Sequence, residues 1–123
     1  MRTIARKKKN STQRWNKKHE FQYKKAKGDT PRHPSYIFET KKTKRKYLIF
    51  TSNPSTKGTA NILMNKNIDP YNNNPNIKDS YARDGFFIGS QDEFEPVTDK
   101  KFRIDKSDLA TINKLKKRPF GKK

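Results

Sequence analysis

Polar side chains at the ends of two strand-like segments could transfer protons to and from a phosphate ester. Residues 35–39 and 46–52 are rich in aromatic and β-branched side chains, which favour strands. Cleavage of RNA by its own 2′-hydroxyl needs a proton acceptor, a proton donor and cations around the phosphate. The candidates for these catalytic roles, at strand ends or in the following turn, are His33, Thr51, Ser52, Lys57 and Arg83.

These candidates also have a structural interpretation. Thr51 and Ser52 precede an Asn-Pro pair, and hydroxyl side chains often end a strand in such a turn. His33 precedes a proline, where a turn is equally common. Catalysis and turn formation therefore stay open as alternatives at this place.

Other catalytic motifs are missing from the sequence. It contains no Gly-rich phosphate loop, no His-Glu-x-x-His and no Gly-x-Ser-x-Gly. The lack of cysteine excludes a disulfide framework and a thiolate metal site, and it fits a cytoplasmic protein. We therefore expect neither a metal ion nor another cofactor.

The composition indicates a polyanionic partner. The chain has 31 Lys and Arg against 12 Asp and Glu, a net charge of +19, and 28% hydrophobic residues. The charge is +10 in residues 1–32, +2 in residues 33–98 and +7 in residues 99–123. A nearly neutral centre between two basic ends is typical of a small fold with nucleic-acid-binding extensions.

Aromatic rings between cations could stack on unpaired bases while the cations neutralise phosphates. Such residues occur near the N-terminus and around the charged residues 40–45, which connect the two strand-like segments. The alternative for the N-terminal rings is that they pack on a core that is short of apolar residues. The predicted nucleic-acid-binding residues are Arg6, Lys7, Lys8, Lys9, Arg14, Trp15, Lys17, Lys18, Phe21, Tyr23, Lys41, Lys42, Lys44, Arg45 and Lys46.

The pattern of apolar residues predicts a mainly β (α+β) fold with one C-terminal helix. Leu109, Ile112 and Leu115 share one side of a helix predicted over residues 107–118. Weaker strands are predicted within residues 59–64, 81–84, 85–89 and 101–104, and residues 65–80, rich in Asn, Asp and Pro, predict a long loop. We expect a small bent antiparallel sheet or an SH3-like barrel.

The expected organisation has three parts. Residues 1–30 form a basic, partly disordered N-terminal arm, residues 31–118 form one small β-rich domain, and residues 119–123 form a basic tail. No apolar run approaches the roughly 20 residues that span a bilayer, so we expect no membrane partner.

One stretch resembles a known group of toxins. The residues "RHPSYIF", a charged gap and "KYLIFTSNPSTKG" (residues 32–58) are similar to the start of MazF/PemK-like and ToxN-like toxins. The resemblance implies an SH3-like barrel that cuts single-stranded RNA without a metal. It also implies that Thr51 and Ser52 line the active groove and that Lys57, or Arg32 with His33, supplies cationic or proton-transfer groups.

The sequence thus predicts a nucleic-acid-binding protein, with RNA preferred to duplex DNA because many aromatic residues suit unpaired bases. A metal-independent endoribonuclease toxin of a mobile element or toxin-antitoxin system is the alternative, and its partner would be an antitoxin RNA or protein. A structural component of a ribonucleoprotein is a second alternative. The oligomeric state is left open.

Overall fold

The computed structural model describes residues 14–69 and 78–121, and within these ranges the chain is mainly β. Two 3₁₀ turns, Gln91–Glu93 and Lys106–Asp108, and one short helix, α1 (Leu109–Leu115), complete the regular elements. The mainly β prediction with a C-terminal helix is therefore confirmed. The strands are β1 (Asn16–Lys24), β2 (His33–Lys41), β3 (Lys44–Thr51), β4 (Ser55–Thr56), β5 (Thr59–Ala60), β6 (Ile62–Leu63), β7 (Tyr81–Ala82), β8 (Phe87–Ser90) and β9 (Phe94–Pro96).

Seven of these strands form one antiparallel sheet. Its order is β6-β7-β3-β2-β1-β9, and β8 pairs with the first half of β3 while β7 pairs with its end. Strands β2 and β3 are joined by the two residues Lys42 and Thr43, and Lys42 takes a positive φ of 54°. The charged hairpin tip expected at residues 40–45 is therefore a tight two-residue turn.

A very short connection forces this sheet to coil. The backbone N–H of Gln91 donates to Thr43 O at 2.7 Å, and the N–H of Lys25 donates to Glu93 O at 2.9 Å. Thr43 and Lys25 lie at opposite ends of β2, a nine-residue strand that would extend about 30 Å in a flat sheet. Residues 91–93 cannot span that length, so the sheet curls into the barrel-like shape that the sequence predicts.

Glu93 fixes this connection with its side chain. One carboxylate oxygen accepts from the backbone N–H of Ser90 at 2.6 Å, and the other lies 3.1 Å from Lys24 Nζ. The hydrogen bond from Ser90, together with Lys24, holds the pKa of Glu93 below its usual range. The carboxylate thus joins the end of β8 to the end of β1.

The two faces of the sheet have separate cores. One face buries Phe38, Leu48 and Phe50 against Ile112 and Leu115 of α1. The other face buries Ile37, Tyr47 and Phe94 inside the curve. Burial of each such side chain adds about 1.5–3 kcal/mol to the free energy of unfolding. Burial on both faces of the sheet therefore stabilises a chain of low hydrophobic content.

The structure corrects the expected boundaries. Strand β1 starts at Asn16, inside the expected arm, because Phe21 and Tyr23 pack on the core. Residues 119–121 belong to the fold rather than to a tail, since Phe120 stacks on Phe87 with centroids 4.7 Å apart. Residues 101–104 form no strand, and β9 (Phe94–Pro96) pairs with β1 instead.

The helix is also shorter than expected. Helix α1 ends at Leu115, and the chain turns through Arg118 before Pro119. Ile112 and Leu115 are buried, whereas Leu109, expected on the same side, is 48% exposed. Asp105 caps the preceding 3₁₀ turn by accepting from the backbone N–H of Ser107.

The C-terminal segment crosses very close to Gly85. This glycine has a φ of +130°, and a Cβ atom here would lie 2.7 Å from Arg118 O and 2.8 Å from Phe120 Cα. The backbone N–H of Phe120 donates to Phe86 O at 2.9 Å, and Arg118 forms an ion pair with Asp84. Gly85 is thus the position at which the segment 118–120 docks on the sheet.

We expect Gly85→Ala to destabilise the protein by about 3 kcal/mol or more, because it combines backbone strain with a backbone clash. Gly58→Ala is the matched control, since Gly58 also has a positive φ (81°) but open space around it; it should cost only about 1–2 kcal/mol. Urea unfolding of both variants measures the difference. Equal losses would mean that the segment 118–120 does not press on Gly85.

Candidate functional site

A cleft lies where β2 begins and β3 ends. Ser35 pairs with Ile49, and continuing this antiparallel register by two residues puts His33 opposite Thr51. Both residues and Ser52 line a cleft with a volume of about 640 Å³. Three of the five predicted catalytic residues therefore share one cavity.

The other two predicted catalytic residues lie elsewhere. Lys57 is in the turn between β4 and β5, with a φ of 49°, and does not line the cleft. Arg83 follows β7 and donates its backbone N–H to Ile49 O. Its charge acts on His33 and lowers the pKa of that imidazole, so Arg83 lies near the cleft without lining it.

His33 is held toward its neutral form. Burial of the imidazole is the main reason that its pKa lies below the ordinary value, and the positive charge of Arg83 adds to the effect. A neutral imidazole can accept a proton at physiological pH. The geometry therefore provides a proton acceptor at the start of β2.

Arg83 is a half-buried cation without an ion-pair partner among the described residues. Its guanidinium carbon lies 4.5 Å from the centroid of Phe120 and 5.7 Å from that of Phe87. Its Nε is buried and has no hydrogen-bond partner within residues 14–69 and 78–121. Burial lowers the pKa of this guanidinium, so an anion beside it would relieve an unfavourable charge.

The hydroxyl of Thr51 has a structural contact. Its Oγ1 accepts from the backbone N–H of Asn53 at 3.2 Å, and this hydrogen bond is the turn-forming role that the following Asn-Pro pair indicates. Because that bond uses a lone pair, the hydroxyl proton is still available to a ligand in the cleft. The turn-forming and the chemical roles of Thr51 are therefore compatible.

Cations and rings form another part of the cleft wall. The Arg32 guanidinium carbon lies 3.9 Å from the centroid of the Tyr23 ring, and Arg32 also forms ion pairs with Glu95 and Asp99. The Tyr23 hydroxyl donates to Asp99 at 2.9 Å. Burial is the main reason that the pKa of Tyr23 is raised, and the hydrogen bond to Asp99 adds to it. The phenol therefore stays neutral and orients the arginine.

A second, basic surface lies at the opposite end of β2. Trp15 precedes β1, and its ring centroid is 4.6 Å from Lys46 Nζ and 5.0 Å from Lys41 Nζ. Lys46 also forms an ion pair with Glu39 at 3.0 Å. Three predicted nucleic-acid-binding residues, one ring and two ammonium groups, therefore come together; we call them the Trp15 surface.

Residues that sequence reasoning missed extend the Trp15 surface. Lys116 Nζ lies 5.5 Å from the centroid of Tyr36 and 5.7 Å from that of Phe38, and His19 Nδ1 is 2.6 Å from the Tyr36 hydroxyl. Burial lowers the pKa of Lys116. The sequence signal for Lys116 indicated only a favourable charge at the end of a helix.

The remaining predicted binding residues are divided among several environments. Tyr23 (5% exposed) and Phe21 pack against the ring of Phe102, so their faces are not offered to a base at the Trp15 surface. Arg45 donates to Gln91 and to hairpin carbonyls. Arg14, Lys17, Lys18, Lys42 and Lys44 are exposed, with Lys18 beside Glu20, and Arg6, Lys7, Lys8 and Lys9 lie outside the described residues.

The described residues contain no group of three or more His, Cys, Asp or Glu side chains suited to hold a metal ion. Among the helices of the same ranges, none is long and apolar enough to cross a membrane.

We expect the imidazole of His33 to titrate at a lower pH than an ordinary histidine. In NMR titrations, Arg83→Met should move its midpoint upward because one of the two causes of the low pKa is removed. The chain has two histidines, so the histidine signal that remains in the His19→Gln variant is that of His33. An unchanged midpoint in Arg83→Met would show that the guanidinium does not act on His33.

The same pKa shift implies a sign for the pH dependence of stability. Below about pH 6.5 the unfolded chain takes up a proton at position 33 before the folded protein does, so the free energy of unfolding decreases as the pH falls. The loss is complete once the pH is below the folded-state pKa. His33→Gln should remove this part of the pH dependence in denaturant titrations.

Comparison with protein-family models, with curated proteins and with solved structures finds no match to this chain. The resemblance of residues 32–58 to MazF/PemK-like and ToxN-like toxins therefore stays a prediction.

Proposed function

We propose that this protein binds single-stranded RNA and that the Trp15 surface is a principal contact. The observation that carries the proposal is the ring of Trp15 with Lys41 and Lys46 within 5.0 Å of its centroid. An indole can stack on any of the four bases, and ammonium groups beside it can move onto the neighbouring phosphates. Lys116 adds another cation to the same end of the barrel.

The charge balance supports a polyanionic ligand. Within residues 14–69 and 78–121, the basic side chains in ion pairs are those of Lys18, Lys24, Arg32, Lys46, Lys100 and Arg118. The whole chain has 31 basic side chains and a net charge of +19. Repulsion among these charges opposes folding, and phosphate groups on the surface would relieve it.

The shape of the barrel supports single strands over duplex DNA. Major-groove recognition generally requires a helix or a two-stranded ribbon that projects from the protein. In the described part of the chain the only α-helix, α1, has seven residues and turns Ile112 and Leu115 into the core. Unpaired bases can instead reach exposed rings on a curved sheet.

We expect Trp15→Ala to weaken binding of a single-stranded RNA by about 1–3 kcal/mol, because a stacked base loses its platform. Trp15→Phe is the matched control and should keep most of the affinity, since a smaller ring still stacks. Fluorescence anisotropy at two salt concentrations measures both variants. Thermal melting checks that the folded fraction is unchanged.

A result in which Trp15→Ala lowers the melting temperature but leaves the affinity of the folded protein unchanged would contradict the proposal. It would assign Trp15 to the fold and leave its neighbours Lys41 and Lys46 as ordinary surface cations.

Metal-independent cleavage of the bound RNA is a second candidate function. It is favoured by the shared cleft of His33, Thr51 and Ser52, beside the cation Arg83. Neutral His33 would take the proton of the 2′-hydroxyl as the 2′ oxygen bonds to phosphorus. The bond from phosphorus to the 5′ oxygen breaks, and that oxygen takes a proton from a water molecule, which in turn takes the proton from His33 and restores the neutral imidazole. Hydroxyl donors and Arg83 would stabilise the charge on the phosphorane.

We expect Thr51→Val to reduce the cleavage rate about 10²- to 10³-fold with little effect on affinity, because a donor to the developing charge is lost. His33→Ala should abolish the general-base contribution. Lys57→Ala is the control, since Lys57 lies off the cleft and should leave the rate unchanged. Gel assays with EDTA measure the rates, and cleavage that survives in both cleft variants would exclude this site.

A further inference from the structure

Asp69 places a carboxylate in a cleft of a strongly cationic protein. The residue is only 8% exposed and lines the same cavity as His33 and Thr51. Its nearest basic group among the described residues is Lys100, whose Nζ is 3.4 Å from one carboxylate oxygen. A carboxylate repels phosphate, so it has to serve a different part of an RNA ligand: one that offers N–H donors.

The backbone around Asp69 is held by side-chain hydrogen bonds. Asn67 Oδ1 accepts from the Asp69 N–H at 2.7 Å, and Asn67 Nδ2 donates to Lys78 O at 2.7 Å. Ser80 Oγ accepts from the Ile68 N–H at 3.1 Å. These bonds cross-link the two chain segments that wall the cleft. The backbone that carries the carboxylate is therefore held in place before a ligand arrives.

We propose that the cleft binds one unpaired guanine base of a single-stranded RNA, with the carboxylate of Asp69 accepting from its N1–H and 2-amino group. This inference rests on the proposed RNA-binding function. Guanine is the one RNA base with two adjacent N–H donors on its pairing edge, which matches the two oxygens of a carboxylate. Adenine and cytosine offer one amino donor beside an acceptor, and uracil offers a single N–H between two acceptors.

Lys100 adds to the match. The pairing edge of guanine runs from an acceptor, O6, to two donors, and the cleft presents a donor, Lys100 Nζ, beside the acceptor oxygens of Asp69. The 45% exposure of the Lys100 side chain leaves it room to move onto O6 as the base enters. The complementary order of groups is what selects guanine over the other bases.

The cleft also has the size and floor that a base requires. Its volume of about 640 Å³ lies within the range of ordinary small-ligand sites. Phe102 is partly exposed and, together with the buried rings of Tyr23 and Phe50, gives the cleft an apolar floor against which the flat face of a base can pack. The hydroxyls of Thr51 and Ser52 line the same cavity, where the sugar and phosphate that follow the base would lie.

The test uses four ten-residue uridine oligomers, one unmodified and three with a single central guanosine, adenosine or inosine. The wild-type chain should bind the guanosine oligomer about ten- to a hundredfold more tightly than the adenosine oligomer. Inosine, which lacks the 2-amino group, should fall between them. Asp69→Asn should abolish the preference and leave affinity for the all-uridine oligomer unchanged or slightly higher. Fluorescence anisotropy reports all of these affinities.

Asp79→Asn is the matched control, because Asp79 lines the cleft but is exposed, and it should keep the preference. Lys100→Gln should reduce the preference and provides a second variant if Asp69→Asn fails to fold. Wild-type protein that binds all four oligomers equally, or Asp69→Asn protein that keeps the preference, would overturn the guanine site while leaving RNA binding intact. Wild-type protein that binds none of them would overturn the proposed function, and the guanine site with it.

Discussion

Two backbone hydrogen bonds around residues 91–93 hold the rest of this molecule in its shape. They join the tip of the β2–β3 hairpin at Thr43 to the end of β1 at Lys25 through a 3₁₀ turn of three residues. Because the turn is so short, the sheet has to coil until its far corners are nearly in contact. The side chain of Glu93 secures the same connection from both sides, through Ser90 and Lys24.

Coiling separates two surfaces of different chemistry. At one end of β2 the cleft combines His33 and Thr51 with aromatic and charged walls. At the other end the partly exposed ring of Trp15 lies beside the ammonium groups of Lys41 and Lys46. In the proposed function, an extended strand of RNA lying along the barrel contacts both ends at once. The proposed general contact with phosphates and bases and the proposed selective contact with one base then use different residues.

The sequence predicted those parts of the fold and site that depend on local pattern. Apolar runs in the sequence predict the two long strands of the β2–β3 hairpin and the mainly β class. The polar residues that end these runs predict the clustering of His33, Thr51 and Ser52. The position of β1 between β2 and β9 did not follow, because its apolar residues Phe21 and Tyr23 stand among charged ones and are buried by residues distant in sequence, such as Phe50 and Phe102. The catalytic prediction for Lys57 rested on closeness in sequence, whereas in the structure this residue lies in the β4–β5 turn and does not line the cleft.

Long-range contacts also explain why parts of the cleft were missed. Asp69 and Lys100 come from segments with no periodic pattern, and Phe102 comes from a segment predicted as a strand that does not form. Only the path of the chain around the barrel brings these residues beside Tyr23. A single sequence gives little information about which distant residues come together, because tertiary packing rather than local preference decides these contacts.

The pairing of β1 with β9 has a consequence for how the protein reaches its folded state. The hydrogen bond from Tyr23 to Asp99 joins residues 76 positions apart, and Gln22–Lys24 pair with Phe94–Pro96. Before contacts this distant in sequence can form, most of the chain has to be ordered, and the entropy lost in closing the long loop is regained only afterwards. Such contacts are typical of slow, all-or-none folding in small barrels. The cleft takes its walls from six separate segments, so it is complete only when all six have come together. Partly folded chains therefore carry the charge of this protein without its cleft.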